Sequence, residues 1–198
     1  MKIVVIGAGG TIGSAVVALL EREHEVVRAS RRGPVRVDMD DEGSVDELFT
    51  AVRDVDAVVC CAASGALVPL TSDDDFLAAT RGKLLGQVHL VRRAARHLRD
   101  GGSVTLTSGT FEEPMLGMAS GVLVNAGLEA FVRAAAPEMP RGLRVNAVSP
   151  GWVAETLEAI GRDGAAGTPA ADVARAYAEA IGGDAQGQVF RPVRGRTH

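Results

Sequence analysis

The stretch Lys2–Glu23, KIVVIGAGGTIGSAVVALLERE, decides the fold. Its start, KIVVIG (Lys2–Gly7), is a short continuous apolar run, the pattern of a strand buried on both faces in a parallel sheet. GAGGTIG then places Gly7, Gly10 and Gly13 in the spacing G-x-x-G-x-x-G. Beyond it Ile12, Ala15, Val16, Leu19 and Leu20 recur at helical spacing. A glycine triplet alone is weak evidence, but a buried strand before it and an amphipathic helix after it make it a dinucleotide-binding loop. Gly7 permits the tight turn, Gly10 lets backbone approach a pyrophosphate, and Gly13 lets helix and strand pack closely. The helix start, at Thr11, Ile12 and Gly13, offers unpaired N–H groups and a positive dipole end to phosphates.

Outward from this unit, strand and helix patterns alternate. HEVVRASRR reads as a second strand ending in a basic loop, and VRVD (Val35–Asp38) as a third. Ser44 with Glu47 has capping-box spacing ahead of a helix bearing Val45, Leu48, Phe49 and Val52. DAVVCCA is a fourth strand. Ser72 with Asp75 is a second capping box, opening a long helix with the stripe Phe76, Leu84, Val88, Val91, Ala95 and Leu98. GSVTLTS is the fifth strand, a helix spans about 121–136, and LRVNAVSPG is the sixth strand. TPAADVARAYAEAIGG carries a last helix with Pro169 near its first turn, and GQVFRPV is a final strand. Such alternation predicts a doubly wound α/β fold, a Rossmann-type parallel sheet in one domain spanning 1–198.

The end of the second strand selects the nucleotide. An acidic residue there would hold the ribose hydroxyl of NAD, whereas this chain offers Ser30, Arg31 and Arg32. A guanidinium pairs with a 2′-phosphate in bidentate fashion and stacks on adenine, so NADP(H) is expected over NAD(H).

Composition narrows the partners. The 198 residues carry a formal charge of −4, with 46% apolar and 23% charged residues. Nucleic-acid or membrane binding needs a basic footprint that this balance does not supply. No apolar run approaches the roughly 18 residues of a membrane span. The opening MKIVVIGAGG does not read as a signal peptide, because its apolar segment runs straight into the glycine turn. Cys60 and Cys61 are adjacent, a spacing that rarely reaches disulfide geometry, so they read as small buried side chains in a reducing cytoplasm. No metal-ligand spacing is present.

Together these segments resemble the short-chain dehydrogenase/reductase superfamily over nearly the whole chain. VIGAGGTIGSAV is similar to its cofactor loop, and VDMDDEGSVDELF to its third strand and following turn, where Asp38 would meet the adenine amino group. CAASG occupies the place of its Asn-Asn-Ala-Gly stretch, with Ala62 and Ala63 at the adenosine ribose. RGLRVNAVSPGWV is the most specific match, and implies that Pro150, Gly151 and Val153 hold the nicotinamide. The family works with a Ser, a Tyr, a Lys and an Asn. The Tyr is its general acid/base, and the Lys lowers the Tyr pKa by its charge. Ser108 matches the serine. The register of NAGLEAFVRAAAPEMPRGLRVNAVSPG puts Asn125 at the lysine position and Gly121 at the tyrosine position, the thirteen residues from Ser108 agree with the family spacing, and in KLLGQVHLV Lys83 falls at the relay asparagine.

Gly121 cannot transfer a proton. Lys83 borders the apolar stripe of its helix, which leaves it either pointing into the site or snorkelling to water. Tyr177, the only tyrosine, shares helical spacing with Val173, Ala180 and Ile181 and reads as packing. The four histidines have no carboxylate or cysteine at ligand or triad spacing. The segment 152–168 stands where the family places its substrate lid; it is short, and rich in Ala and Gly. The implied activity is hydride transfer to or from a small carbonyl or alcohol by an atypical site using Ser108, Lys83 and Asn125. The alternative is a non-catalytic NADP(H)-binding redox sensor or regulatory protein. The resemblance also implies a homodimer or higher homo-oligomer through the family's long fourth and fifth helices, with which the apolar stripe from Phe76 to Leu98 is compatible.

Overall fold

The computed structural model describes residues 1–62, 67–72, 76–111, 113 and 115–195. Ala63 and Asp75, singled out above, and His198, one of the four histidines, lie outside the described residues. Strand β1 (Lys2–Ile6) alternates as a strand must: Ile3 and Val5 enter the core on one face of the sheet, Val4 and Ile6 on the other. Its neighbours are β2 (Glu25–Ser30) and β4 (Ala57–Cys60), with the two-residue β3 (Val35–Arg36) at one edge. Beyond β4 come β5 (Ser103–Thr107), β6 (Arg144–Val148) and β7 (Val189–Phe190). All pairings are parallel, in the order β3-β2-β1-β4-β5-β6-β7. The order reverses between β1 and β4, and the crevice beyond their carboxyl ends is where open α/β sheets bind ligands.

Helices α1 (Thr11–Leu20) and α6 (Ala170–Gly182) cover one face, packing Val16, Leu20, Val173 and Tyr177 against Ile3, Val5 and Val59. Helices α2 (Glu42–Ala51), α3 (Gly86–His97) and α4 (Ala119–Ala135) cover the other, bringing Phe49, Leu90 and Leu128 onto Val4, Val58 and Leu106. Cys60 belongs to the second cluster and Cys61 packs on the first, so the adjacent thiols point to opposite faces and both are free. Among the described residues no helix is long and apolar enough to cross a membrane.

Three expectations are corrected. The Ser44–Glu47 capping box does not form: α2 begins earlier, its N-cap is Asp41, whose side chain accepts from the Gly43 N–H at 2.9 Å, and Ser44 Oγ accepts the Asp38 N–H at 2.8 Å. The long helix expected from Ser72 is not one uniform α-helix: a π-helical turn, Thr80–Leu85, precedes α3. His89 does meet carboxylates, standing 3.4 Å from Glu42 and 3.8 Å from Asp46 where α2 and α3 pack.

Segment 152–168 is held at both ends. The Ala154 N–H donates to the Thr168 carbonyl at 2.9 Å and the Thr168 N–H to Trp152 at 2.8 Å. Between them run α5 (Ala154–Ala159) and a single 3-10 turn at Gly164–Ala166, whose carbonyls Arg194 clamps from the C-terminal tail.

Candidate active site

The glycine loop takes the conformation its sequence demands. Gly7 has φ +80°, and a Cβ there would stand 2.6 Å from the Ala62 nitrogen. At Gly13 a Cβ would run into the Gly7 carbonyl oxygen, so only glycine lets α1 seat against the loop. Gly10 caps α1 without a side chain and donates its own N–H to Gly7 at 3.0 Å. The N–H groups of Thr11, Ile12 and Gly13 are those an α-helix leaves without an internal partner.

In front of this loop lies a cleft of about 480 Å³. Of the residues expected at the cofactor, Gly7, Gly10, Ser30, Arg31, Arg32, Asp38 and Ala62 line it. Arg31 and Arg32 are exposed, and neither forms an ion pair among the described residues. Asp38 is fixed from both sides: its N–H is held by Ser44, and its Oδ1 accepts the Asp40 N–H at 3.1 Å. Sequence reasoning passed over Gly82, which also lines the cleft; a Cβ there would lie 2.5 Å from Asp40 Oδ1. The loop, the unpaired helix N–H groups and the two guanidiniums fit a dinucleotide diphosphate with an anionic tail.

Pro150, Gly151 and Val153 follow β6 on the other side of the switch point. The Thr110 N–H donates to the Pro150 carbonyl at 2.9 Å, Val153 is buried, and a Cβ on Gly151 would meet nothing within 4 Å. Trp152 packs edge-on to Phe111, with ring centroids 6.3 Å apart. Phe111 in turn flanks Gly121, where a Cβ would stand 3.6 Å from Phe111 Cε2.

The structure brings Lys83, Asn125 and Ser108 together. Lys83 points inward: its Nζ donates to Asn125 Oδ1 at 2.7 Å and to the Ser108 carbonyl at 3.1 Å. Burial strips water from the ammonium and lowers its pKa from 10.5 to about 8, against a smaller raising influence from the Cys60 thiol. An ammonium carries three donors, so among the described residues one remains after Asn125 and Ser108 take theirs.

The Ser108 hydroxyl turns elsewhere, donating to Glu129 Oε1 at 3.2 Å. That oxygen also accepts from Ser149 Oγ at 2.8 Å, while Arg191 donates to Glu129 Oε2 at 2.8 Å. Glu129 thus ties the ends of β5, β6 and β7 together, and no sequence reading had marked it. Its only signal was a helix position eight beyond Gly121. Tyr177 is fully buried between α6 and the sheet. Thr107 Oγ1 gives its proton to the Cys60 carbonyl, so the Tyr177 hydroxyl donates to Thr107, at 2.6 Å. Tyr177 packs, as its spacing predicts.

Comparison with known proteins matches the fold. A family profile described as enoyl-(acyl carrier protein) reductase covers residues 8–182. Protein lin1944 from Listeria innocua is 37% identical, over 96% of this chain and 98% of its own, with a TM-score of 0.89. A small-chain dehydrogenase is 31% identical over 99% of this chain and 97% of its own, with a TM-score of 0.83. A small-chain dehydrogenase in complex with NADPH is 29% identical over 98% and 96%, also at 0.83. No curated protein matches the chain significantly. The chain belongs to the short-chain dehydrogenase/reductase superfamily.

Proposed function

We propose that this protein is an NADP(H)-dependent oxidoreductase that reduces a small carbonyl compound, or oxidises the corresponding alcohol, with Lys83 in the role the family gives to tyrosine. The observation that carries the reading is the Lys83–Asn125 contact. The family's lysine and asparagine positions are occupied here by asparagine and lysine, and the two side chains still meet, at 2.7 Å. A cation is retained at the centre although it comes from the other helix. The chain has 19 arginines and only two lysines, Lys2 and Lys83. Lysine, unlike arginine, can release a proton near neutrality when buried.

When bound, NADPH supplies the hydride. Gly7, Gly10 and the α1 N-terminus hold the diphosphate, Ser30, Arg31 and Arg32 the 2′-phosphate, and Asp38 and Ala62, with Ala63, the adenosine. Pro150, Gly151 and Val153 position the nicotinamide. The free Lys83 hydrogen polarises the substrate oxygen and is transferred to it as negative charge develops. Ser108 holds Lys83 through its carbonyl and Asn125 through its amide oxygen. The segment 152–168 covers the substrate, with Trp152 and Phe111 giving it an apolar wall. The free thiols of buried Cys60 and half-buried Cys61 fit a reducing cytoplasm. Val122 and Leu123, about half exposed on α4, support a homodimer through α3 and α4.

The test is NADPH consumption across aldehydes, ketones and quinones. Lys83→Met is expected to lower kcat by roughly 10²- to 10⁴-fold, the usual cost of a positioned general acid. Ser108→Ala, whose hydroxyl proton is committed to Glu129, is expected to lose less than about ten-fold of that rate. An unchanged rate in Lys83→Met would remove the reading. NADPH binding without consumption of any substrate would instead favour the redox-sensor alternative, which the diversion of Ser108 to Glu129 also supports.

A further inference from the structure

Lys83 sits inside the π-helical turn, and what holds that turn is a glutamine. Gln87 is fully buried. Its Nε2 donates to the Lys83 carbonyl at 2.9 Å and to the Thr107 carbonyl at 3.1 Å, and its Oε1 accepts the Thr107 N–H at 2.9 Å. Both amide hydrogens and the amide oxygen are therefore used. The next residue, Ser108, lends its carbonyl to Lys83 Nζ. The bonds close a ring that runs from the Lys83 carbonyl through Gln87 to Thr107, on to Ser108, and back to the Lys83 ammonium. Filling the volume beneath α3 does not require an amide; a leucine or methionine would do it without polar groups to satisfy. π turns concentrate at functional sites because they re-aim a side chain.

We propose that Gln87 is the positioning residue for Lys83: its amide fastens the π turn to the end of β5 and so sets the depth at which the ammonium meets Asn125. The inference rests on the reading of Lys83 as the polarising group, but its test does not. Among the described residues, the titratable and charged groups on the elements around Lys83 are the Cys60 thiol at the end of β4, Asp40 in the loop against Gly82, Glu129 one turn beyond Asn125 on α4, and Arg81 in the turn itself. None is altered in the variants below.

Lys83 titration is read directly by competitive acetylation against pH, with mass spectrometry of the Lys83 peptide and Lys2 as internal reference. In the native protein the midpoint is expected near 8. In Gln87→Met it is expected to rise by about one unit or more, because the ammonium is freed toward solvent. NADPH affinity should stay within about two-fold while kcat at pH 7 falls about ten-fold or more, since the donor is misplaced and not removed. Should Gln87→Met not fold, Gln87→Asn, which keeps the amide but is one carbon too short to span both partners, carries the same expectation. A midpoint that stays in place while Tm falls would make Gln87 a structural staple only and overturn the proposal. A midpoint that rises while the rate is untouched upholds Gln87 as the positioning residue and instead removes Lys83 from catalysis.

Discussion

An ammonium that polarises an oxygen directly differs from one that works through a phenol. The phenol must be brought down from near 10 by a neighbouring charge, whereas a buried lysine arrives at about 8 by desolvation alone. On the proposed reading, in which Gly121 stands at the tyrosine position, that difference lets Lys83 act as a one-residue proton donor. By resemblance, the absence at Gly121 was legible from the register ending at Pro150–Gly151, and so were the candidates Asn125, from that register, and Lys83, from KLLGQVHLV. Their contact was not, because it joins residues 42 apart, and a lysine bordering an apolar stripe points either way. Glu129 and Gln87 were invisible for the same reason: a polar residue in a helix reads as a solvated face until the strands beneath it are placed. At the other end of the cleft, Arg31→Ala is expected to raise the Kd for NADPH about ten-fold, a loss of about 1.4 kcal/mol. NADH should weaken by less than about two-fold, because it lacks the 2′-phosphate. Calorimetry on both nucleotides checks this, and equal weakening would end the claim of selectivity.

At the scale of elements, the helix starts carry the lesson. The run DDEGS at the start of α2 offers several caps, and sequence spacing favours Ser44 with Glu47. The chain uses Asp41, which frees Ser44 to hold the Asp38 N–H and so shape the loop that lines the cleft. Asp41→Ala should therefore cost about 1 kcal/mol of stability. Glu47→Ala, without a capping partner, should stay within about 0.5 kcal/mol. Urea denaturation separates the two, and a larger loss at Glu47 would restore the box. The π turn had no sequence signal, since the stripe from Leu84 through Val88 and Val91 continues at ordinary helical spacing. It arises because Gly82 and Gly86 let this segment press on the β3–α2 loop, where a Cβ on Gly86 would run into the Met39 carbonyl oxygen.

Across the whole molecule, strand alternation was enough to give the parallel sheet, because apolar runs broken by amphipathic helices admit few other topologies. The same sheet buries Cys60 and Tyr177 and partly buries Cys61, three groups whose ionisation opposes that of Lys83. Burial pushes Cys60 from 9.0 up to about 12, raises Cys61 as well, and lifts Tyr177 well above 10. Lys83, lowered to about 8, binds fewer protons folded than unfolded between pH 8 and 10.5, so its contribution to stability increases as pH climbs through that window. The thiols and the phenol bind more protons folded than unfolded. Their contribution is whole below about 9 and is lost as pH climbs beyond it. Each proton weighs about 1.4 kcal/mol per pH unit. One lysine acts first and three groups act against it afterwards, so these four groups place a maximum of stability near pH 9, with a steep fall above. Thermal melts from pH 7 to 11 without nucleotide check this. Lys83→Met should erase the rise and leave the fall, and Cys61→Ala should soften the fall and leave the rise. A native curve that declines steadily from pH 7 would mean that Lys83 is not buried at the depth its bonds to Asn125 and Ser108 require.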